Sequence, residues 1–261
     1  MTKSTEPWAN LPPYRDLPID PSKPPRSTWG VFGEDDQVGT INLLTPERVR
    51  AAASLVRKGT LFSLNWDMEK PGPPILGRQP MEHHLFDLTP GTDDSKYGTD
   101  DYYDQYYTQS STQWDALAHM PHPEYGYYNG VSREQITGQP GSRNGIDNWG
   151  RRGIAGRFVL IDLKRYLTEQ GTPIDQAKRF PVEADTVQAA VESQGVKIQG
   201  GDIVLLRFGW VGWHEAADEA TRVAMSKLSG PELQSPGLSA AESTLEWLWD
   251  NQVAAVAADV P

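Results

Sequence analysis

Three apolar runs decide the fold class of this chain: Phe158-Val-Leu-Ile-Asp162, Ile203-Val-Leu-Leu-Arg207 and Val253-Ala-Ala-Val-Ala-Ala258. Each run is short and uninterrupted, which is typical of strands that are buried on both faces. Helical patterns separate the runs: Asp185 is predicted to cap a helix from Val187 to Ser193, and Ser239-Ala-Ala-Glu242 is a capping-box pattern that begins a helix reaching Asn251. This alternation of strand and helix predicts an α/β fold in which helices cover a parallel layer.

The first half of the chain carries different patterns. Thr45, followed by Pro46 and Glu47, combines an N-cap with a proline at the first helical position and predicts a helix that continues to Gly59. Residues 59–67 alternate at about period two and predict a strand. Residues 90–105 hold five aspartates among Gly, Thr and Tyr, so we expect a solvated loop, with a metal-binding loop as the alternative. The two halves together indicate a mixed sheet with covering helices.

Proline content sets the expected domain boundary. Residues 1–28 contain seven prolines, which disfavour helix and central strand alike, so we expect an extended arm that lies on a domain or on a partner subunit. Residues 29–261 then form a single domain. The chain ends directly after a run that we expect to be a buried strand, and ligand-binding loops usually follow such strands. We therefore expect the domain to lack its C-terminal portion.

Charge and composition restrict the classes of partner and site. The 24 basic and 35 acidic residues give a net charge of −11, so nucleic acid and anionic membrane surfaces would be repelled, and small molecules are the expected partners. The chain has no cysteine, which excludes thiol nucleophiles and leaves only oxygen and nitrogen ligands for any metal. No apolar run approaches the length of about 18 residues that a membrane span needs, so we expect a cytoplasmic protein.

Chemistry-bearing residues concentrate between Thr108 and His119, whereas the serine-hydrolase, phosphate-loop, dinucleotide and H-E-x-x-H motifs do not occur in the sequence. In an extended segment Gln109, Gln113, Asp115 and His119 would share one face, because all four positions are odd-numbered. Amide and carboxylate oxygens there could hold a divalent ion while the imidazole moves a proton. A polar strand satisfied by ordinary hydrogen bonds is the alternative interpretation.

The segment resembles the signature of the cyclase superfamily of metal-dependent hydrolases, His-x-Gly-Thr-His-x-Asp-x-Pro-x-His, a superfamily that includes kynurenine formamidases and isatin hydrolases. In this resemblance Gln109 and Gln113 stand at the metal-binding histidines, Asp115 at the metal-binding aspartate and His119 at the catalytic histidine. Glutamines at these places resemble the longer branch that contains trans-dienelactone hydrolase. Further stretches look like that branch in order: Trp29-Gly30, 39–45, 128–130, 153–156, 201–207, 247–249 and 254–259.

The resemblance implies a swivelling β/β/α fold, assembly as a homodimer or homotetramer, and a divalent ion, zinc first and manganese second. It implies hydrolysis of a small cyclic ester or amide, of lactone or aryl-formamide type, by metal-activated water with His119 as general acid and base. The family's downstream histidine and glutamate ligands are not found, since no histidine follows His214. A non-catalytic ligand-binding or scaffolding member that has lost the metal site is therefore the alternative.

Further residues are candidates for the substrate pocket or for structural roles. Trp29, His122, Asn129 and Trp210 are the predicted substrate-binding residues. Adjacent strand residues point to opposite faces, so at most one histidine of the pair at 83 and 84 faces a site, and packing is the alternative. We expect His214 to be exposed. We expect Arg207 to pair with an acidic side chain, with bidentate binding of a substrate carboxylate as the alternative.

Overall fold

The computed structural model describes residue 8 and residues 10–88 and 98–261. The part of the expected N-terminal arm at positions 1–7 and 9 lies outside the described residues, as do Asp93 and Asp94 of the expected loop. The chain divides into two compact units. The larger unit comprises residues 1–59, 115–213 and 235–261, and the smaller unit comprises residues 60–114 and 214–234. The single domain expected from residue 29 stays a prediction.

Helices and strands are both present, so the predicted α/β class is confirmed. The helices are α1 (Pro46–Ala53), α2 (Ile146–Arg152), α3 (Leu163–Glu169), α4 (Ala184–Ser193), α5 (Trp210–Ala216), α6 (Glu219–Ser226) and α7 (Glu242–Asp250). The strands are β1 (Glu82–Asp87), β2 (Thr99–Asp104), β3 (Phe158–Ile161), β4 (Phe180–Val182), β5 (Ile203–Leu206), β6 (Pro236–Leu238) and β7 (Ala255–Ala258). None of the helices among the described residues has the length and apolar character to cross a membrane.

The predicted parallel layer is confirmed in the larger unit. Strands β3, β5 and β7 lie side by side in that order, and both pairings are parallel. One face of β3 and β5 enters the main core, where it packs with side chains of α3 and α4. The buried core residues are Val159, Ile161, Leu163, Leu167, Val182, Val187, Ala190, Val191, Val204, Leu206, Phe208 and Val253. Because both pairings are parallel, the carboxyl ends of the three strands lie at one edge of the layer.

The prediction that all three strands are buried on both faces is wrong for β3 and β7. Phe158 and Leu160 of β3 are 50% and 52% exposed, and Val256 of β7 is 38% exposed. Only β5, at the centre of the layer, is buried along most of its length. An uninterrupted apolar run predicts a strand, but it does not reveal whether a second layer covers both faces, which explains the difference.

The predicted helices are present, but one ends earlier than expected and two begin at different residues. Thr45 caps α1 as expected, since its Oγ1 accepts a hydrogen bond from the Arg48 amide at 3.4 Å, but the helix ends at Ala53 rather than near Gly59. Helix α4 begins at Ala184 and α7 at Glu242, and neither residue before them caps through its side chain. Acidic side chains in the first turns still favour these helices through the helix dipole.

Two predictions of secondary structure for residues 59–105 are wrong. Residues 59–67 form no strand, and three of their apolar side chains are exposed, namely Leu61 at 93%, Phe62 at 80% and Leu64 at 66%. Residues 99–104, expected in a solvated loop, instead form β2 and pair antiparallel with β1. Aromatic stacking across the two strands offsets the low strand propensity of aspartate. The ring centroids of His83 and Tyr103 are 4.6 Å apart, and those of His84 and Tyr102 are 4.5 Å apart.

The described part of the N-terminal arm packs against α7. Tyr14 lies in a single 3₁₀ turn and is buried with Leu17 against Trp249. The Tyr14 amide donates to the Asp250 carboxylate at 2.7 Å, and the Trp249 indole donates to the Pro12 carbonyl at 2.8 Å. This arrangement agrees with an arm that lies on a domain of its own chain.

Asp259, immediately after β7, ties the end of that strand to the loop that follows β5. Its carboxylate oxygens accept hydrogen bonds from the amides of Phe208 at 2.6 Å and Gly209 at 2.8 Å. Burial raises the pKa of Asp259, although these two amides act in the opposite direction. The carboxylate therefore satisfies two backbone donors at the edge of the parallel layer.

We expect Asp259→Ala to lower the free energy of unfolding by about 1–3 kcal/mol, because it leaves two amide donors without their acceptors. Asp259→Asn keeps one acceptor oxygen and should cost less. Urea unfolding followed by circular dichroism measures both variants. An alanine variant as stable as the wild type would show that solvent replaces the carboxylate without loss.

Candidate functional site

Asp115 and His119 face one cavity of the larger unit, with a volume of about 450 Å³. His119 Nε2 lies 3.7 Å from Asp115 Oδ1, and both side chains are partly exposed. The cavity is lined by Trp29, Asp115, Ala116, Leu117, His119, Met120, His122, Gly126 and Tyr128. A carboxylate and an imidazole therefore meet beside aromatic walls in a space large enough for a small organic substrate.

A turn, rather than a strand, brings this pair together. The segment after Asp115 was expected to be extended, but the His119 amide donates to the Ala116 carbonyl at 2.9 Å, which closes a turn. The Ala118 amide donates to the Asn144 carbonyl at 3.0 Å and fixes the turn to the rest of the larger unit. The extended conformation that would place the odd-numbered residues on one face is thus wrong. Asp115 and His119 nevertheless lie close together, because the turn joins them.

The glutamines of the predicted set lie in the smaller unit, because the boundary between the units falls between Trp114 and Asp115. Gln109 Oε1 accepts a hydrogen bond from Thr108 Oγ1 at 2.9 Å. Nearby, Thr112 Oγ1 accepts from the Trp66 amide at 2.8 Å, which anchors the segment within that unit. The four-residue set of Gln109, Gln113, Asp115 and His119 stays a prediction.

Asn129 supports the wall of the cavity. It adopts a left-handed backbone conformation with φ of 56°, and its side-chain oxygen accepts from the Gly30 amide at 3.0 Å. Its side-chain nitrogen donates to the carbonyls of Gly33 and Asp36 at 3.0 and 3.1 Å. Asn129 therefore fixes the loop that carries Trp29 through side-chain hydrogen bonds. Its contact with substrate stays a prediction.

Tyr128 forms a second link to the same loop. Its hydroxyl donates to Asp36 Oδ2 at 2.9 Å. Burial, together with the Asp36 carboxylate, raises the pKa of Tyr128 well above its ordinary value. The hydroxyl consequently stays protonated and acts as a fixed donor, so it is not available as a base in this cavity.

His122 and Trp210, predicted to bind substrate, occupy different environments. His122 lines the cavity, stacks on Tyr125 at 4.7 Å between ring centroids, and accepts a hydrogen bond from the Glu124 amide at its Nδ1. Trp210 is 1% exposed at the start of α5. The structure therefore shows His122 at the cavity and Trp210 in a buried position, and the substrate contacts of both stay predictions.

A second candidate metal group lies on the antiparallel pair of the smaller unit. Potential ligand atoms of Glu82, His84 and Asp104 all lie within 4.8 Å of one another. His84 Nε2 is 3.1 Å from Asp104 Oδ2 and 3.7 Å from Glu82 Oε2. Register explains the grouping, since Glu82 pairs with Asp104 and His84 is two residues farther on the same face. Oxygen and nitrogen donors of this kind suit zinc or manganese.

Sequence reasoning identified parts of this group without joining them. At most one histidine of the pair at 83 and 84 was expected to face a site, without a choice between them, and Asp104 belonged to the alternative metal-binding loop. The missing information was the pairing of β1 with β2. Glu82 and His84 are two residues apart, so on a strand their side chains point to the same face. That spacing is the signal in the sequence that could have suggested two ligands.

Two other expectations have clear outcomes. His214 was expected to be exposed, but it is 2% exposed and makes an edge-on contact with Trp66 at 5.9 Å, so that prediction is wrong. Burial is the main cause that lowers the pKa of His214. Arg207 pairs with Asp162 at 2.9 Å, which confirms a structural ion pair for this residue.

Comparisons with known proteins agree with the fold and with the family resemblance. The profile of one protein family, described as "Putative cyclase", matches residues 43–261. A solved crystal structure described as that of a novel cyclase is similar over 89% of this chain and 74% of its own, with 30% sequence identity and a TM-score of 0.75. No curated protein matches the sequence.

Proposed function

The chain belongs to the cyclase family, and from this premise we propose that it is a metal-dependent hydrolase of a small cyclic ester or amide, of lactone or aryl-formamide type. One observation carries the proposal: Asp115 and His119 of the family motif converge on a cavity of about 450 Å³ in the larger unit. Their carboxylate and imidazole are the groups that hydrolysis by activated water requires.

The donor chemistry of the motif fits a divalent ion. We propose Asp115 as its carboxylate ligand and Gln109 and Gln113 as neutral oxygen ligands, the glutamines being included on their motif spacing alone. Zinc is the first choice and manganese the second, since both accept oxygen donors. When bound, such an ion lowers the pKa of a coordinated water and so supplies a nucleophile at neutral pH.

The side chains of the cavity supply proton transfer and orientation. His119 Nε2 takes a proton from the attacking water and returns it to the oxygen or nitrogen that leaves the carbonyl carbon. Asp115 Oδ1 lies 3.7 Å from His119 Nε2, so the two groups can act on the same bound substrate. Trp29 and His122 provide flat walls against which a planar lactone or aryl ring can lie.

A substrate panel tests this function. Lactones, aryl formamides and isatin-like imides are incubated with the protein in the presence of zinc or manganese, and release of acid is followed by pH-stat. We expect metal-dependent hydrolysis of at least one class. Protein that binds the ion and the ligands but hydrolyses none of them would instead establish a non-catalytic ligand-binding member of the family.

We also propose that the protein forms a homodimer or homotetramer. The support is the assembly implied by the family resemblance. Multi-angle light scattering of the purified protein measures the mass directly, and a monomer at micromolar concentration would contradict the proposal.

A further inference from the structure

The smaller unit contains a cavity of its own, with a volume of about 120 Å³. Its lining residues are Trp66, Lys70, Gly72, His214, Glu215 and Arg222. All six belong to the smaller unit, and none of them belongs to the motif or to the candidate metal groups. The function proposed above gives this cavity no role.

Two cationic side chains converge on this cavity. Within the part of the chain that the structure describes, neither Lys70 nor Arg222 has a carboxylate within 4.0 Å. Arg222 Nε is inaccessible to solvent and has no hydrogen-bond partner among the described residues. A desolvated guanidinium donor without an acceptor is costly, so an oxyanion placed here would satisfy it.

The other polar groups leave a net positive charge. Glu215 is the one acid in the lining, and its Oε1 already accepts a hydrogen bond from the Trp66 indole at 2.7 Å. Burial and the Arg222 and Lys70 cations lower the pKa of His214, while Glu215 acts in the opposite direction, so the imidazole is neutral at pH 7. Two cations and one carboxylate leave a charge of about +1, which one monoanion neutralises.

We propose that this cavity binds a small carboxylate monoanion between Arg222 and Lys70. The planar guanidinium matches a carboxylate group, and the ammonium supplies a second charge-assisted hydrogen bond. A water molecule occupies about 30 Å³ of liquid, so the volume of about 120 Å³ suits an acid with only a few heavy atoms. A phosphate dianion would leave excess negative charge, which disfavours it relative to a carboxylate.

The experiment uses acetate as the probe and does not depend on hydrolytic activity. Titration followed by heteronuclear NMR of the imidazoles should show saturable shifts at His214, and the pKa of His214 should rise when acetate is bound. Arg222→Gln should weaken acetate binding by roughly tenfold or more, since it removes a charged hydrogen-bond donor. Lys70→Gln is a second variant that tests the same cavity from another segment.

Lys227→Gln is the matched control, because Lys227 directly follows α6 but does not line the cavity, and acetate binding should be unchanged. Circular dichroism confirms that each variant is folded. Absence of saturable acetate binding to the wild type would overturn the proposal. Acetate binding that survives both Arg222→Gln and Lys70→Gln would also overturn it, as would Arg222-dependent binding of inorganic phosphate without binding of acetate.

Discussion

Removal of divalent ions by dialysis against a chelator should abolish hydrolysis, and added zinc or manganese should restore it. The expected loss is near complete, because water without a metal ligand has a pKa of about 15.7 and is a poor nucleophile at neutral pH. Neutral amide ligands contribute no charge, so we also expect the ion to be held weakly and to be lost during purification. Elemental analysis alongside the activity assay measures both effects, and full activity in metal-free protein would refute the mechanism.

Two variants decide which group holds the catalytic ion. Asp115→Asn should lower both the bound metal and the turnover, since it removes the one charged ligand proposed at the motif. His84→Asn tests the group on β1 and β2 in the same way. If His84→Asn abolishes turnover while Asp115→Asn leaves it intact, the catalytic ion belongs to Glu82, His84 and Asp104, and the assignment to the motif is wrong.

His119→Ala should lower kcat by roughly 10²–10⁴, which is the usual contribution of a general acid and base. The bound metal should be retained, because His119 is assigned to proton transfer and not to coordination. Steady-state kinetics on the best substrate of the panel, with elemental analysis of the same sample, separates the two roles. An unchanged kcat would remove His119 from the reaction.

His122→Ala provides the contrast within the same cavity. His122 lies on the wall and stacks on Tyr125, and no ion pair with a carboxylate is found for it among the described residues. We therefore expect a higher KM with most of kcat retained. Equal losses of kcat in the two variants, both folded by circular dichroism, would contradict this division of roles.

The parallel layer was predictable because its signal is local. Each apolar run at residues 158–162, 203–207 and 253–258 contains a strand, and helices α4 and α7 cover the predicted stretches although neither begins at its predicted cap. The uncovered side of β3 was not predictable, since apolar residues such as Phe158 and Leu160 look the same in sequence whether or not a second layer covers them. Local patterns identify elements, whereas coverage depends on distant parts of the chain.

Two of the four predicted motif residues line one cavity, whereas the set as a whole stays a prediction. The spacing of Asp115 and His119 identified two residues that do face one cavity, but the turn that joins them depends on the distant Asn144 carbonyl. His214 shows the same limit, because its burial beside Trp66 joins segments far apart in the chain. Acidic neighbours such as Glu215 made an exposed position the natural expectation.

The turn between Asp115 and His119 restricts how this motif can vary. Main-chain atoms of Ala116 and Ala118 close and anchor it, so the turn itself does not depend on which side chains stand at these two positions. The number of intervening residues is not free, since one insertion or deletion would rotate the imidazole away from the carboxylate. Relatives that share this chemistry should therefore differ here in composition but not in length.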